Sequence, residues 1–548
     1  MRKILVITLA LVLAFSFTAA AQEQTPEETI DEYTYGGTLV MAETQSPEGM
    51  FNPLFAETTY DSQVNDMVFE PLNKIDPQGN PIPALAVDWE RDDLTYTFYL
   101  DENAEFHDGE PVTAEDVKYT FETFLHPDYD GVRQSNFMEI EGAEEFTEGE
   151  ADEVSGVRII DDHTIEIELQ ETYAPFLVQT TIFGIVPEHI LGEHEVSELR
   201  SLDFNQDPIG SGPFKFDEYS DDEFTRLSYF EDFRTGRPYL DEIVIRYVDD
   251  QALVMMAERG EIDYAQPPAE NFDRFTEMEN ITLHKSIRDG FGYIGINVEA
   301  DTPVADQAVR QAMAYGINRA GFHEVVMSDL AVSTNSPISQ ASWAYTDDLN
   351  QYEHDPDKAQ EILEEDGWEM NDDGVYEKDG EPLEFTMSAS SGSDFIDQLM
   401  SLAQDNLNSI GFDVEIERLE FNTMTDQIDE GELSTWFMGW SFGADPDPYS
   451  VWHSEGDWNR TNWSDERADE LIEKARETLD QVKRREYYVE FQKIWNEDMP
   501  YIPMYADIYL HIMNERVRGF LPDPGVVSPF GRGHSEIQNI WIPKKYRD

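Results

Sequence analysis

Hydrophobic and polar residues alternate in several short segments, a pattern that indicates strands with one buried face. The clearest case is Leu94, Tyr96, Phe98 and Leu100, where every second residue is apolar. The same alternation recurs at 38–41, 165–169 and 243–247. We predict strands at these four places.

Helical signals lie between and after these segments. Thr113 followed by Asp116 forms an N-terminal capping pattern ahead of apolar residues at helical spacing. Asp355 and Pro356 predict the start of another helix, which Gly367 should end. Two longer helices are predicted at 464–479 and 482–495. Because strands and helices interleave, the fold class is α/β or α+β.

The first residues have the pattern of a secretory signal. Arg2 and Lys3 precede an apolar stretch, and small residues follow up to Ala21. We expect cleavage after Ala21, since the stretch is too short for a permanent membrane span. The chain has no cysteine, which excludes disulfides and a lipid-modified cysteine. We therefore predict a periplasmic protein that is neither lipid-anchored nor stably inserted in a membrane.

Acidic residues dominate the composition. The 548 residues include 116 acidic and 36 basic side chains, a formal net charge of −80. Nucleic acid is an improbable partner, because binding it requires clustered lysine and arginine. The hydrophobic content of 40% and aromatic content of 12% are too high for a disordered chain. We interpret the acids as a solvated surface suited to high salt, on a chain long enough for two or three domains.

Two short motifs match patterns that are found in enzymes. Residues 290–295 match the dinucleotide-binding glycine pattern, but a strand-like segment follows them instead of a helix. Residues 439–443 match a nucleophile elbow around Ser441, but two prolines follow where a helix should begin. Histidines downstream leave a catalytic triad open as an alternative. We expect no catalytic residue, no metal site and no cofactor.

One loop combines aromatic and acidic residues. A strand of large aromatics ending near Trp440 leads into a proline-stiffened segment with Asp445, Asp447 and Tyr449. Carboxylates can hold a ligand ammonium or hydroxyl groups, while rings supply apolar contact. Trp436, earlier in the strand, is either a core residue or part of the same platform. This loop is the candidate binding site.

Several segments together resemble the extracellular solute-binding proteins of family 5, the oligopeptide and dipeptide receptors of ABC importers. The resemblance covers almost the whole chain after the signal and is carried by 71–121, 209–216, 236–241, 260–265, 309–319, 409–415 and 498–505. It implies a two-lobed periplasmic-binding-protein fold of class C, with three domains and a ligand cleft between the lobes. The lobes would close on the ligand by hinge bending.

The resemblance also implies domain boundaries. Two strands would cross between the lobes near 293–298 and 505–510. The expected divisions are a signal peptide at 1–21, an acidic flexible N-terminus at 22–35, domain I at 36–78, 201–294 and 508–548, domain II at 79–200, and domain III at 295–507.

Family peptide receptors bind the peptide's α-amino group with an aspartate in the loop after the tryptophan. The common spacing before Asp447 falls on Ala444, because the loop is one residue longer here. By this resemblance Asp445 is the best substitute and Asp447 the second.

We therefore expect a substrate-binding component of an ABC transporter that captures short peptides and delivers them to membrane permease subunits, acting as a monomer. Trp440, Tyr449, Trp436 and Asn297 complete the expected substrate-binding set. Backbone groups of 295–298 would bind the peptide main chain. Two alternatives stay open: an oligosaccharide receptor of the same fold, in which tryptophan stacking replaces the ammonium contact, and an extracellular serine hydrolase using Ser441.

Overall fold

The computed structural model describes residues 35–76, 79–268, 271–328, 330–519 and 536–547. The predicted signal peptide and almost all of the acidic N-terminal segment lie outside these ranges. The described residues form 21 strands and 15 α-helices, which interleave along the chain as the sequence pattern predicts.

The N-terminal half contains the following elements: β1 (Thr38–Glu43), α1 (Thr59–Val68), β2 (Asn73–Ile75), β3 (Pro81–Pro83), β4 (Ala86–Asp92), β5 (Thr95–Leu100), α2 (Ala114–Leu125), α3 (Ala143–Thr147), β6 (Val157–Asp161), β7 (Thr164–Glu168), α4 (Phe176–Gln179), α5 (Glu188–Leu191), β8 (Phe214–Ser220), β9 (Phe224–Tyr229), β10 (Glu242–Tyr247), α6 (Asp250–Arg259), β11 (Tyr264–Ala265), α7 (Phe272–Thr276) and β12 (Ile281–Ile287).

The C-terminal half continues with β13 (Gly290–Ile296), α8 (Gln307–Gly316), α9 (Arg319–Val326), β14 (Ala331–Val332), α10 (Pro356–Glu365), β15 (Glu369–Met370), β16 (Tyr376–Lys378), β17 (Glu381–Pro382), β18 (Glu384–Ser390), α11 (Asp394–Ser409), β19 (Asp413–Leu419), α12 (Phe421–Asp429), β20 (Thr435–Ser441), α13 (Tyr449–Trp452), α14 (Glu466–Glu477), α15 (Gln481–Asp498) and β21 (Tyr501–Asn514).

The local sequence signals are confirmed where they are strongest. Along β5 the side chains of Tyr96, Phe98 and Leu100 are buried, and the residues between them are half-buried. At the start of α2 the Asp116 carboxylate accepts hydrogen bonds from the backbone N–H of Thr113, at 2.8 Å, and from its hydroxyl, at 3.0 Å. Paired polar groups at this end leave fewer unsatisfied N–H donors, which fixes where the helix begins.

Twelve strands form one long sheet, in the order β19-β18-β20-β13-β21-β11-β1-β10-β9-β8, with β12 and β14 also paired to β21. A four-stranded sheet, β4-β5-β7-β6, and two small sheets accompany it. The sheet changes partners along β21. Its C-terminal part pairs with β12, from Ile508 to Asn514, and its N-terminal part pairs with β13, from Tyr501 to Tyr505.

The hydrophobic core is divided in the same way. One large cluster and one small cluster contain residues before 276 and after 509. Another large cluster contains residues from 291 to 506. The molecule therefore has two lobes, which meet where β12 passes into β13 and along β21.

Two short links join the lobes. Residues 288–289 connect β12 to β13, N-terminal to the expected crossing at 293–298, and residues 506–507 lie within β21. Arg288 and Asp507 bond the two links to each other. The backbone N–H of Arg288 donates to the Asp507 carbonyl at 2.8 Å, and the Arg288 guanidinium pairs with the Asp507 carboxylate at 3.1 Å. The domain boundaries themselves stay a prediction.

The glycines of β13 allow its neighbours to approach closely. A Cβ at Gly292 would lie 2.6 Å from the Tyr505 ring, and one at Gly295 would lie 2.6 Å from the Trp436 ring. Both distances are too short for a larger residue. The glycine pattern at 290–295 therefore serves sheet packing in a central strand rather than a turn that holds a dinucleotide.

Candidate functional site

A cavity of about 810 Å³ lies between the two lobes. Lobe one contributes residues 132–139 and 171–182 to its wall, together with part of 66–75. Lobe two contributes 443–450, Trp458 and Arg476. Clefts of this size between lobes are typical sites for small ligands.

The acidic loop follows β20 and is held by its own side chains. The Asp447 N–H donates to the Asp445 carboxylate at 3.1 Å, and the Tyr449 N–H donates to the Asp447 carboxylate at 3.3 Å. Such side-chain to backbone bonds two residues apart stabilise turns. They lead the chain from the end of β20 into the short helix α13.

Asp445 is bound by an arginine of the same lobe. Arg484 on α15 donates to both carboxylate oxygens, at 2.7 and 2.8 Å, and both side chains are almost fully buried. Burial alone would lower the pKa of Arg484, but the facing Asp445 raises it above its usual range. The carboxylate is therefore neutralised inside lobe two, in a bidentate geometry that is strong for this pair of groups.

Asp447 belongs to a chain of charges that crosses the cleft. Arg476 on α14 pairs with Asp447 at 3.1 Å and with Glu139 of lobe one at 3.4 Å. Burial raises the pKa of Asp447 to about 6, while Arg476 acts in the opposite direction. Glu139 also has a raised pKa because of burial.

Arg476 makes further contacts with both lobes. Its guanidinium lies 4.2 Å from the ring centre of Tyr449 and 4.9 Å from that of Tyr173. Its carbonyl accepts a hydrogen bond from the Ala174 N–H of lobe one at 2.7 Å. One residue of α14 therefore connects the lobes beside the cavity through charge, ring and backbone contacts.

The expected site residues divide into two groups. Asp445, Asp447 and Tyr449 line the cavity, and Trp440 lines an adjacent side pocket that shares part of its wall. Trp436 is buried in a small core cluster. Asn297 is buried too, and its side-chain oxygen accepts from the Asn462 amide at 3.0 Å. The structure thus brings the loop residues together but places Trp436 and Asn297 outside the cavity wall.

The backbone of 295–298 does not face the cavity with free amides. The N–H groups of Ile296, Asn297 and Val298 donate to the carbonyls of Pro500, Ser434 and Thr461 at 3.1, 3.0 and 2.9 Å. β13 lies between β20 and β21, and the residues just after it donate to neighbouring segments, so these N–H groups already have protein partners. Binding of a peptide main chain by 295–298 stays a prediction.

Sequence reasoning missed the arginines and much of the lobe-one wall. Arg484 and Arg476 lie on helices 39 and 29 positions beyond their carboxylate partners, so no local pattern links them. Tyr173 and Glu139 come from the other lobe altogether. The sequence offered one signal for them: basic residues are scarce, so most arginines are expected to pair with carboxylates.

Ser441 has a partner that does not activate it. Its hydroxyl oxygen accepts a hydrogen bond from the Arg288 guanidinium at 2.5 Å. His453 stacks on Tyr449 and faces Glu473 at 3.4 Å. Among the described residues, no group of three or more potential ligands is arranged to hold a metal ion.

A two-lobed α/β fold with a cavity between its lobes is typical of solute-binding receptors, and the comparison with known families shows to which family this chain belongs. Residues 80–462 match the family described as bacterial extracellular solute-binding proteins, family 5 Middle. The chain belongs to this family. Over the ranges described, no helix is both long and apolar enough to cross a membrane.

Curated relatives extend over nearly the full length. The chain is 27% identical to the oligopeptide-binding protein AppA of Bacillus subtilis, covering 98% of this chain and 97% of the relative. It is 28% identical to the dipeptide-binding protein of Escherichia coli, covering 92% and 94%. The structure of B. subtilis AppA in complex with a nonapeptide is similar with a TM-score of 0.73, covering 93% of this chain and 100% of the other. These likenesses confirm the expected two-lobed fold.

Proposed function

We propose that this protein is the substrate-binding component of an ABC importer, which captures short peptides in the periplasm and delivers them to the membrane permease. The observation that carries the proposal is the cavity enclosed by both lobes, whose wall includes the predicted loop. A ligand held there contacts both lobes, so its binding free energy favours the closed form. The printed names of the relatives, which include oligopeptide-binding and dipeptide-binding proteins, support peptides as the ligand class.

The proposal includes secretion through the signal peptide at 1–21, the absence of a lipid anchor, and a monomeric receptor. Asp447, Tyr449 and Trp440 are proposed as ligand contacts. Asp445 stays a predicted ammonium contact, although Arg484 already occupies both of its oxygens in this structure.

Isothermal titration against a mixed panel of short peptides tests the function. We expect saturable heat for at least one peptide class, without change to the peptide when it is recovered. Small-angle scattering should show a smaller radius of gyration in the presence of the peptide. Heat with cello- or xylo-oligomers and none with any peptide would replace the proposal with the oligosaccharide receptor. Cleavage of the ligand, lost in Ser441→Ala, would replace it with the hydrolase.

A further inference from the structure

A side pocket of about 250 Å³ lies next to the interlobe cavity. The two spaces share wall residues in the acidic loop and at Trp458. The side pocket is formed by lobe two and is lined by four aromatic rings, which belong to Trp440, Phe442, Trp452 and Trp458. Its volume fits one ligand side chain.

Trp458 is unusually exposed for a residue of this type. Its exposed fraction is 49%, whereas Trp436, Trp452 and Trp495 are almost completely buried. The ring is held in place: it meets Trp440 edge to face at 6.2 Å, and the Arg460 guanidinium lies 4.9 Å from its centre. A fixed, half-exposed tryptophan provides apolar area for a ligand at little cost in conformational entropy.

The charge of the surrounding wall favours a cationic ligand. The interlobe cavity is lined by six carboxylates, Asp66, Glu139, Glu171, Asp445, Asp447 and Asp457, against Lys74, Arg133 and Arg476. Asp445 is paired with Arg484, and Glu139 and Asp447 share Arg476, so the excess negative charge comes mainly from the other three carboxylates. Asp457 is exposed and directly precedes Trp458 in the chain. A cationic group next to an apolar side chain would therefore meet a carboxylate of the interlobe cavity beside Trp458.

We propose that the side pocket between Trp440, Phe442 and Trp458 receives an aromatic side chain of a peptide with net positive charge. This inference rests on the proposed peptide-binding function and specifies which peptides the site selects. Aromatic rings suit the pocket because ring pairs gain energy beyond the buried area. An uncharged sugar ring could stack on Trp458 and donate hydrogen bonds to the carboxylates, but it would gain no attraction from their charge.

Peptide selection from a mixture tests the inference without assuming a peptide length. The protein is incubated with a random library from dipeptides to octapeptides, separated by gel filtration and denatured, and the released peptides are sequenced by mass spectrometry. We expect enrichment of Phe, Tyr and Trp and of Lys and Arg. For a selected peptide, replacement of its aromatic residue by alanine should weaken binding about tenfold or more.

Two variants assign the preference to the pocket. Trp458→Ala and the pocket-filling Ser342→Phe should both remove the aromatic enrichment while still retaining small cationic peptides. The matched control is Phe421→Ala, a half-exposed ring on α12 outside both cavities, which should leave the selection unchanged. Thermal unfolding confirms that each variant is folded.

The possible failures are distinguishable. If no peptide is retained by the wild-type protein, the proposed function fails. If peptides are retained without aromatic or cationic enrichment, or if Trp458→Ala and Ser342→Phe keep the wild-type selection, the function stands and the side-pocket inference is overturned.

Discussion

The central residue-level feature is that the loop carboxylates are already paired with arginines. Asp445 is neutralised by Arg484 within lobe two, and Asp447 by Arg476 at the lobe boundary. A buried charge that loses its partner costs much more than a surface pair gains. The pairs therefore make the loop a rigid part of lobe two, in addition to any contact that it makes with a ligand.

Replacing Asp445 separates these two roles. Asp445→Ala leaves the Arg484 guanidinium buried without its partner, so we expect the free energy of unfolding to fall by about 3 kcal/mol. Urea denaturation measures this loss. Asp457→Ala, which removes an exposed acid from the same cavity, should change stability very little. An Asp445→Ala protein with wild-type stability and no peptide affinity would instead show that the ammonium contact is the main role.

Glu43 is a buried acid at the end of β1, and burial raises its pKa to about 7 despite a hydrogen bond from Gln63. The raised pKa means that the folded state favours the protonated form. Binding of this proton stabilises the folded state. The stabilisation is fully present below the unfolded pKa of about 4.5 and is lost as the pH rises through about 7.

We expect Glu43→Gln to be more stable than the wild-type protein by about 1–3 kcal/mol at pH 8, with the difference disappearing near pH 4. Urea unfolding of both proteins across this range measures the difference. Glu384→Gln, an exposed position at the start of β18, is the control. A difference that does not vary with pH would contradict the raised pKa.

The residue types of the site were predictable from sequence, but their partners were not. The aromatic strand and the two Asp-Pro pairs indicated that the loop is a candidate binding site, because they place rings and carboxylates close together in the chain. Ion pairs between the loop and α14 or α15 depend on how distant helices pack. Asn297 and Trp436 lie outside the cavity wall, since asparagine and tryptophan also occupy buried positions where the fold supplies their contacts.

At the scale of elements, α14 links the lobes through Arg476. Its side chain contacts Asp447 and Tyr449 in lobe two and Glu139 and Tyr173 in lobe one. These contacts exist only while the lobes are close together. They therefore contribute to the closed form independently of the ligand.

Arg476→Gln should shift the protein towards the open form. We expect a larger radius of gyration by small-angle scattering and a peptide affinity lower by about tenfold, since part of the closing free energy is lost. Arg467→Gln is a matched control on the same helix, where an exposed arginine pairs with Glu470 and Glu490. Equal scattering and affinity for Arg476→Gln and the wild-type protein would exclude the linking role.

Elements with strong local signals were predicted, and the sheet that joins them was not. Alternation indicated β5 and β7, and the capping residues indicated α2 and α10. The order of the long sheet depends on β21, which pairs with strands more than 200 residues earlier. Such pairings are selected by the packing of the whole chain. The short strands β2 and β3, of which β3 contains two prolines, carry no pattern of alternation.

For the whole molecule the dominant quantity is the net charge of −80. Like charges spread over one surface repel one another and oppose the compact state. Salt reduces this repulsion, because the screening length falls from about 10 Å at 0.1 M to about 3 Å at 1 M.

We expect the midpoint of thermal unfolding to rise by several degrees between 0.1 M and 2 M potassium chloride, measured by calorimetry. The B. subtilis relative provides a comparison for the general effect of salt. A midpoint that does not change with salt would show that the acidic surface carries no net electrostatic penalty.

The two links between the lobes lie side by side, with Arg288 bonded to Asp507. Neighbouring connections of this kind define a line, and rotation about that line is the motion that leaves the strand ladders on both sides intact. Opening then has essentially one degree of freedom, a single angle. The size of cargo admitted and the exposure of the cavity wall vary together with that angle, so neither can be tuned by evolution without affecting the other.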